Sequence, residues 1–153
     1  MKIFFLFFLM LQLLEAQHIS KRQLLGNWEF SPLKSRDFVS FGNYVGTQRG
    51  ESLELLFNKA NRVKVLTTDD IYAYEILRDS LKIYKLRKTH NNKWKKTHKY
   101  DTFKIVGKQD GCYILKVSKK KIIGVNTRKP FKMCKTSNYP QSLYTHSASE
   151  YEF

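Results

Sequence analysis

The residues of this chain best able to do chemistry are four histidines, an adjacent acidic pair and two cysteines, and their spacing gives catalysis little to work with. His18, His90, His98 and His146 are scattered, and none makes the His-X-His or His-Glu-X-X-His spacing that sets two imidazoles on one metal ion. His98 falls among Lys and Tyr neighbours in a strand-like run and reads as a surface residue. Asp69 and Asp70 are adjacent, and in an extended chain adjacent side chains point to opposite faces. Two carboxylates so placed cannot share a substrate, so bonding to the local backbone of a turn suits them better. No glycine-rich phosphate loop is present, and no histidine lies near either cysteine in sequence. The expectation is a protein that is not an enzyme, with no metal and no cofactor. Cys112 and Cys134 carry no metal signature. In an oxidising compartment they read as one disulfide, worth about 3 kcal/mol by chain entropy; the alternative is a pair of reduced, partly buried thiols.

Binding is better served than catalysis. In residues 71–77, Tyr72, Tyr74 and Ile76 share one strand face, and Ile71, Ala73, Glu75 and Leu77 share the other. If the tyrosine face points inward, it forms a candidate pocket with Phe103 whose hydroxyl tips suit an amphipathic ligand. If it points outward, Glu75 sits in the interior and needs a cationic partner such as a lysine or Arg128. Both orientations are open at this level. A second candidate surface lies between residues 84 and 104, where Lys85, Arg87, Lys88, Lys95, Lys96 and Lys99 are interleaved with Trp94, Tyr100 and Phe103. Cations that track a backbone, with rings that stack bases, describe single-strand nucleic-acid binders on small barrels, and the same cations suit an anionic membrane surface or glycan. The bland alternative is the solvated side of a hairpin. Phe103 and Ile105 share one phase with Lys104 between them, whereas Trp94, Lys96, His98 and Tyr100 mix rings and charge on the other.

Composition sets the context. The chain has 153 residues, with 28 Lys and Arg against 13 Asp and Glu, for a net charge of +15. That charge attracts anionic partners or serves solubility. Residues 3–14 are apolar except for Gln12, which is too short for a membrane span and suits the core of an export signal behind Lys2. Cleavage after Ala16 is expected, which places the protein in a secreted or periplasmic location and argues against nucleic acid as the partner. A buried N-terminal helix is the alternative. From residue 136 onward Ser, Thr, Asn, Tyr and Gln dominate and no apolar period remains. The expected organisation is a signal peptide at 1–16, one domain at 17–135 and a flexible tail at 136–153.

Within the domain, a short helical turn over 19–25 with Ser20 as N-cap leads into strand signals. Strands are expected at 28–31, 38–44, 53–57, 63–67, 71–77, 81–86, a long bulged 93–106, 112–117 and 131–135. The punctuation lies at 58–61, 69–70, 78–80, 91–92 and 107–111. Eight or nine short strands at hairpin spacing, with no long helix, exclude an alternating parallel α/β sheet. The expected fold is all-β, a single antiparallel up-and-down barrel of about eight strands, because closure removes the exposed edges of a meander. A β-sandwich is the structural runner-up.

The opening Leu24-Leu25-Gly26-Asn27-Trp28, the run Leu53-Glu54-Leu55-Leu56-Phe57-Asn58 leading through a turn to Val63, and residues 71–77 with the Leu81-Lys82-Ile83 return together carry a resemblance. The chain resembles the lipocalin-like proteins of the calycin group, particularly small exported bacterial ones. It departs from their pattern in having no Thr-Asp-Tyr between later strands. The resemblance implies a barrel with an apolar interior, closed at one end by Gly26 and Trp28, with Arg128 as the late basic residue that packs over the opening Trp. Lys129 and Lys132 are equally placed for that role. The function expected is a non-catalytic, exported, lipocalin-like protein binding a small apolar or amphipathic ligand in the barrel. The alternative is a basic interaction protein that binds anionic envelope polymers, membrane surface or nucleic acid through the 85–104 face.

Overall fold

A computed structural model describes residues 18–41, 45–46, 48, 50–119 and 129–136. The expected leader, Arg128 and all of the expected tail except Thr136 lie outside the described residues. Among those described, no helix is long and apolar enough to cross a membrane.

The architecture is a closed, antiparallel, eight-stranded barrel in which sequence neighbours are spatial neighbours. One helical turn, α1 (Lys21–Leu24), precedes β1 (Gly26–Pro32). The strands β4 (Leu53–Phe57), β5 (Arg62–Val65), β6 (Ile71–Leu77), β7 (Ser80–Lys88), β8 (Trp94–Gln109), β9 (Cys112–Lys119) and β10 (Phe131–Lys135) follow around the wall, and β10 pairs back onto β1. The fold class read from the sequence is therefore the one adopted. The exception is the strand expected over 38–44. Among the described residues that stretch holds only the two-residue strand β2 (Ser40–Phe41), which pairs with β3 (Val45–Gly46) just beyond it in a separate two-stranded sheet, off the barrel.

Alternation explains the wall. Along β1, Trp28 and Phe30 are buried while Asn27 and Glu29 are not. The register then carries the apolar face from strand to strand. Phe30 lies opposite Leu53 and Met133, Trp28 opposite Leu55, and Leu55 opposite Val65. Farther around, Ile83 stands between Tyr74 and Asp101, and Leu81 between Ile76 and Phe103. At the centre three rings fill the interior: Phe30–Phe131, Phe103–Phe131 and Phe30–Phe103 have centroids 5.2, 5.7 and 6.4 Å apart. Edge-to-face and tilted arrangements of this kind add to the burial energy of each ring.

The turns are tighter than their sequence signals suggest. The run 107–111 reduces to a two-residue loop, Asp110-Gly111, both at positive φ, and Gln109 already pairs with Cys112. Gly107 is a strand residue beside a register shift in β8. Ser80 likewise belongs to β7, which leaves Arg78-Asp79 as the loop. The β4–β5 connection ends in a left-handed Asn61, and the Asn58 side chain accepts the Arg62 amide at 2.9 Å. Asn tolerates that conformation better than most residues with a Cβ.

Connectivity defines two ends. Loops 58–61, 78–79 and 110–111 lie with α1 at the Trp28 end. The two ends of the connection between β1 and β4, the loops 66–70 and 89–93 and the start of β10 lie at the other, the Pro32 end. The 33–52 segment reaches back into the barrel with buried Val39 and is tied to the start of β10 by Lys129, whose Nζ lies 2.7 Å from Asp37 Oδ1. The Lys129 hydrogen bond holds the Asp37 carboxyl below the usual carboxylate range. Gly50, at φ +80°, closes this segment, because a Cβ there would stand 2.8 Å from the Ser35 carbonyl oxygen.

Cys112 and Cys134 form a disulfide between β9 and β10, with Cα atoms 4.4 Å apart. The bridge continues the pairing Met133↔Tyr113 by one step and staples the strand that closes the barrel. Replacing both cysteines by serine is expected to cost about 3 kcal/mol by the loop-entropy model. Urea unfolding of the variant against the oxidised protein measures it, and an unchanged midpoint would show the closure to be independent of the bridge.

Candidate functional site

The Trp28 end is built as a plug. Ser20 caps α1 in a reciprocal box with Gln23: the Gln23 amide donates to Ser20 Oγ at 3.2 Å, and the Ser20 amide donates to Gln23 Oε1 at 2.8 Å. A single helical turn leaves its last carbonyls without helical partners, and side chains of the barrel supply donors. Trp28 Nε1–H donates to the Leu24 carbonyl at 2.6 Å, and Lys135 Nζ donates to the Gln23 carbonyl at 3.1 Å. The same Lys135 ammonium stands 5.7 Å above the Trp28 ring. Gly26, buried at φ +113°, turns the chain from the helix into β1 where an L side chain would be strained. Among the described residues the basic side chain over Trp28 is Lys135, which sequence reasoning missed; Arg128 lies outside them. Lys129 instead pairs with Asp37, and Lys132 lies in β10 opposite Ser31. The signal was present: Phe131, Met133 and Lys135 share one strand phase.

The tyrosine face of β6 points inward. Tyr72 and Tyr74 are buried, and Ile76 packs against the core as a partly buried residue. Tyr74 belongs to the Trp28 end: its ring meets Phe57 edge-on at 5.1 Å and its hydroxyl donates to the Asn58 carbonyl at 2.8 Å. Phe103 sits in the central ring cluster. Of the four candidate pocket residues, Tyr72 is the one set toward the Pro32 end with a polar tip. Asp101 accompanies it, the one fully buried charged side chain among the described residues, on the same face as Ile83 and Phe103. Burial first, and then the charges of Asp70 and Asp101, push the Tyr72 hydroxyl up to about 12. Burial alone does the same for Tyr74. Both rings therefore stay neutral hydrogen-bonding groups up to strongly alkaline pH. Asp101 was also legible, since it shares the phase of Phe103 and Ile105.

The basic stretch occupies the β7–β8 hairpin and is divided by register. Tyr84 pairs with Tyr100 and Leu86 with Lys96, so residues 97–99 stand opposite Lys85 alone, and Lys99 lies within this bulge. The outer wall carries a linked cluster. Tyr84 and Tyr100 rings lie 5.3 Å apart, and Lys82 is 5.3 Å above Tyr100. Lys96 is 4.9 Å above Tyr84 and pairs with Glu75, to which the Tyr84 hydroxyl donates at 2.7 Å. Nearer the tip, Lys88 stands 5.5 Å over Trp94. Lys85, across from Tyr72 in the last pair of the wall, and the cross-strand pair Arg87 and Lys95 beyond it have the barrel-side phase but are exposed. The six cations of the candidate face therefore lie on both sides of one ribbon, and Lys96 is committed to Glu75.

No three His, Cys, Asp or Glu side chains gather as metal ligands among the described residues. No family model, curated protein or solved structure matches the chain.

Two outcomes are expected here. Trp28→Phe removes the indole donor from a buried carbonyl and should cost about 1–3 kcal/mol, whereas Lys135→Met, at the exposed rim, should cost less than about 1 kcal/mol. Denaturant unfolding of each variant checks the order. The Lys96 and Tyr84 hydrogen bonds hold the Glu75 carboxyl below its ordinary 4.5. A carboxylate so lowered lends stability above that value and loses it as pH falls through its native-state value. Solvent screening keeps the contribution under about 1 kcal/mol. Glu75→Gln should therefore be slightly destabilised at neutral pH and indistinguishable from the parent in strong acid, as read from unfolding midpoints across pH.

Proposed function

We propose that this protein is an exported, lipocalin-like barrel that holds a small apolar or amphipathic molecule, taken in from the Pro32 end, and does no chemistry on it. The observation that carries the reading is the burial of two polar side chains, Tyr72 and Asp101, close enough to act on each other electrostatically, on inward faces toward that end of a largely apolar barrel. Binding cavities for small molecules have this character, a largely hydrophobic wall with one or two placed polar groups that fix orientation. The opposite end is occupied by α1, Trp28 and Lys135, so a ligand would enter at the Pro32 end, past the segment that carries Val39. The Cys112–Cys134 bridge fits an oxidising compartment, and the apolar leader fits export.

Native mass spectrometry of protein purified from its own host tests the reading, together with melting curves against fatty acids and other apolar candidates. A ligand present at a hundred times its dissociation constant stabilises by about 2.7 kcal/mol, which is a readily measured shift. Tyr72→Phe should weaken the best ligand by about fivefold, the worth of one hydrogen bond near 1 kcal/mol. A protein that arrives empty and melts unchanged with every candidate would overturn the proposal.

A further inference from the structure

Among the described residues, the β7–β8 hairpin extends past the strands paired on either side of it. Among the described residues, β6 pairs with β7 as far as Tyr72↔Lys85, and β9 pairs with β8 as far as Thr102↔Lys119. Among the described residues, Leu86, Arg87 and Lys88 pair solely with Lys96, Lys95 and Trp94. Residues 84–100 hold seven Lys and Arg and no Asp or Glu. The ribbon projects at the Pro32 end with cations on both faces and Trp94, 43% exposed, beside its tip.

Exposed apolar side chains gather at the same end. Of the six large ones among the described residues, Leu33 and Phe38 lie in the 33–52 connection, Leu66 in the β5–β6 loop and Trp94 on the hairpin. Only Leu77 and Val106 lie elsewhere. Four apolar side chains distributed around one end, flanked by a ribbon of cations, match a surface that is anionic outside and hydrocarbon beneath. A nucleic acid is served less well. Its bases stack on rings, but Leu33 and Leu66 offer none, Tyr100 is stacked against Tyr84 beneath Lys82, and the cations lie on both sides of the ribbon instead of tracking one groove.

We propose that the Pro32 end docks on an anionic phospholipid bilayer, with Trp94 seated at the headgroup level and Arg87, Lys88 and Lys95 against the lipid phosphates. Such docking turns the barrel entrance toward the membrane, and it does not depend on an interior ligand.

Flotation of the full protein with phosphatidylcholine vesicles, with and without phosphatidylglycerol, tests this. The expected result is binding only where phosphatidylglycerol is present, weakened by added salt. Trp94 emission should shift to the blue, with the shift lost in Trp94→Phe. Combined Arg87→Glu, Lys88→Glu and Lys95→Glu should lower vesicle partitioning at least about a hundredfold, since each basic side chain near such a surface is worth about a fivefold factor. The exposed tip lets this variant keep its unfolding midpoint, and its melting response to an apolar ligand should remain, which separates failure of docking from failure of ligand binding. The inference is overturned by absent binding, by equal binding to neutral vesicles, or by tight binding to heparin or single-stranded DNA while vesicles leave Trp94 emission unmoved.

Discussion

β1 is hydrogen-bonded along both edges, to β4 from Gly26↔Phe57 to Phe30↔Leu53 and to β10 from Trp28↔Lys135 to Pro32↔Phe131. Every other feature depends on that double pairing. Without the β1–β10 seam the meander would be an open sheet with two long edges, its aromatic face half wet and its ends prone to pair with other copies. With the seam, each inward side chain has neighbours on all sides, and Phe30 reaches both Phe103 and Phe131 across the lumen. The disulfide lies next to the seam and holds β10 to β9, so the strand that must close last in sequence is fixed to a neighbour that forms locally.

Closure creates two unlike ends. At one, a helical turn too short to satisfy its own carbonyls is completed by an indole and an ammonium from the barrel. The Leu24–Trp28 hydrogen bond spans only four residues, but Lys135 lies 112 positions from Gln23. The plug therefore forms only once the barrel has closed. At the other end the chain crosses in a longer connection, and the remaining interior polarity, Tyr72 and Asp101, is found there. The division between a sealed end and a polar-tipped end supports a ligand reading, because it gives the interior a direction.

The outer wall shows a different balance. Glu75, Tyr84 and Lys96 satisfy one another on three neighbouring strands, while Arg87, Lys88 and Lys95 continue past the wall. Lysines on a ribbon with no further strand partner among the described residues also guard it against edge-to-edge pairing with another chain. Exposed Trp94 sits poorly with that purpose alone, since a purely protective edge has no use for an exposed indole.

Much of this was legible in the sequence because it is local. Alternation and turn punctuation placed β4, β6 and β10 at their observed bounds, turn chemistry at Asn58–Asn61 and Asp110–Gly111 separated strands, and a single pair of cysteines suggested a bridge. What stayed hidden is register. A strand's two faces are equivalent until it is paired, and a slip of one residue exchanges them. Thus alternation grouped Tyr72 with Tyr74, but only the pairing of β6 with β5 and β7 turned them inward and Glu75 outward. The same holds for the bulge at residues 97–99, which sorts the cations of the hairpin, and for Lys135, which reaches Trp28 only because β10 lies beside β1. The amino-acid order by itself determined the element types, the apolar phase of each strand and the charge of the hairpin, all of which arise from neighbours along the chain. The tertiary structure alone decided which phase became interior and which cation met which ring, because those choices are made by strands distant in sequence when the barrel shuts.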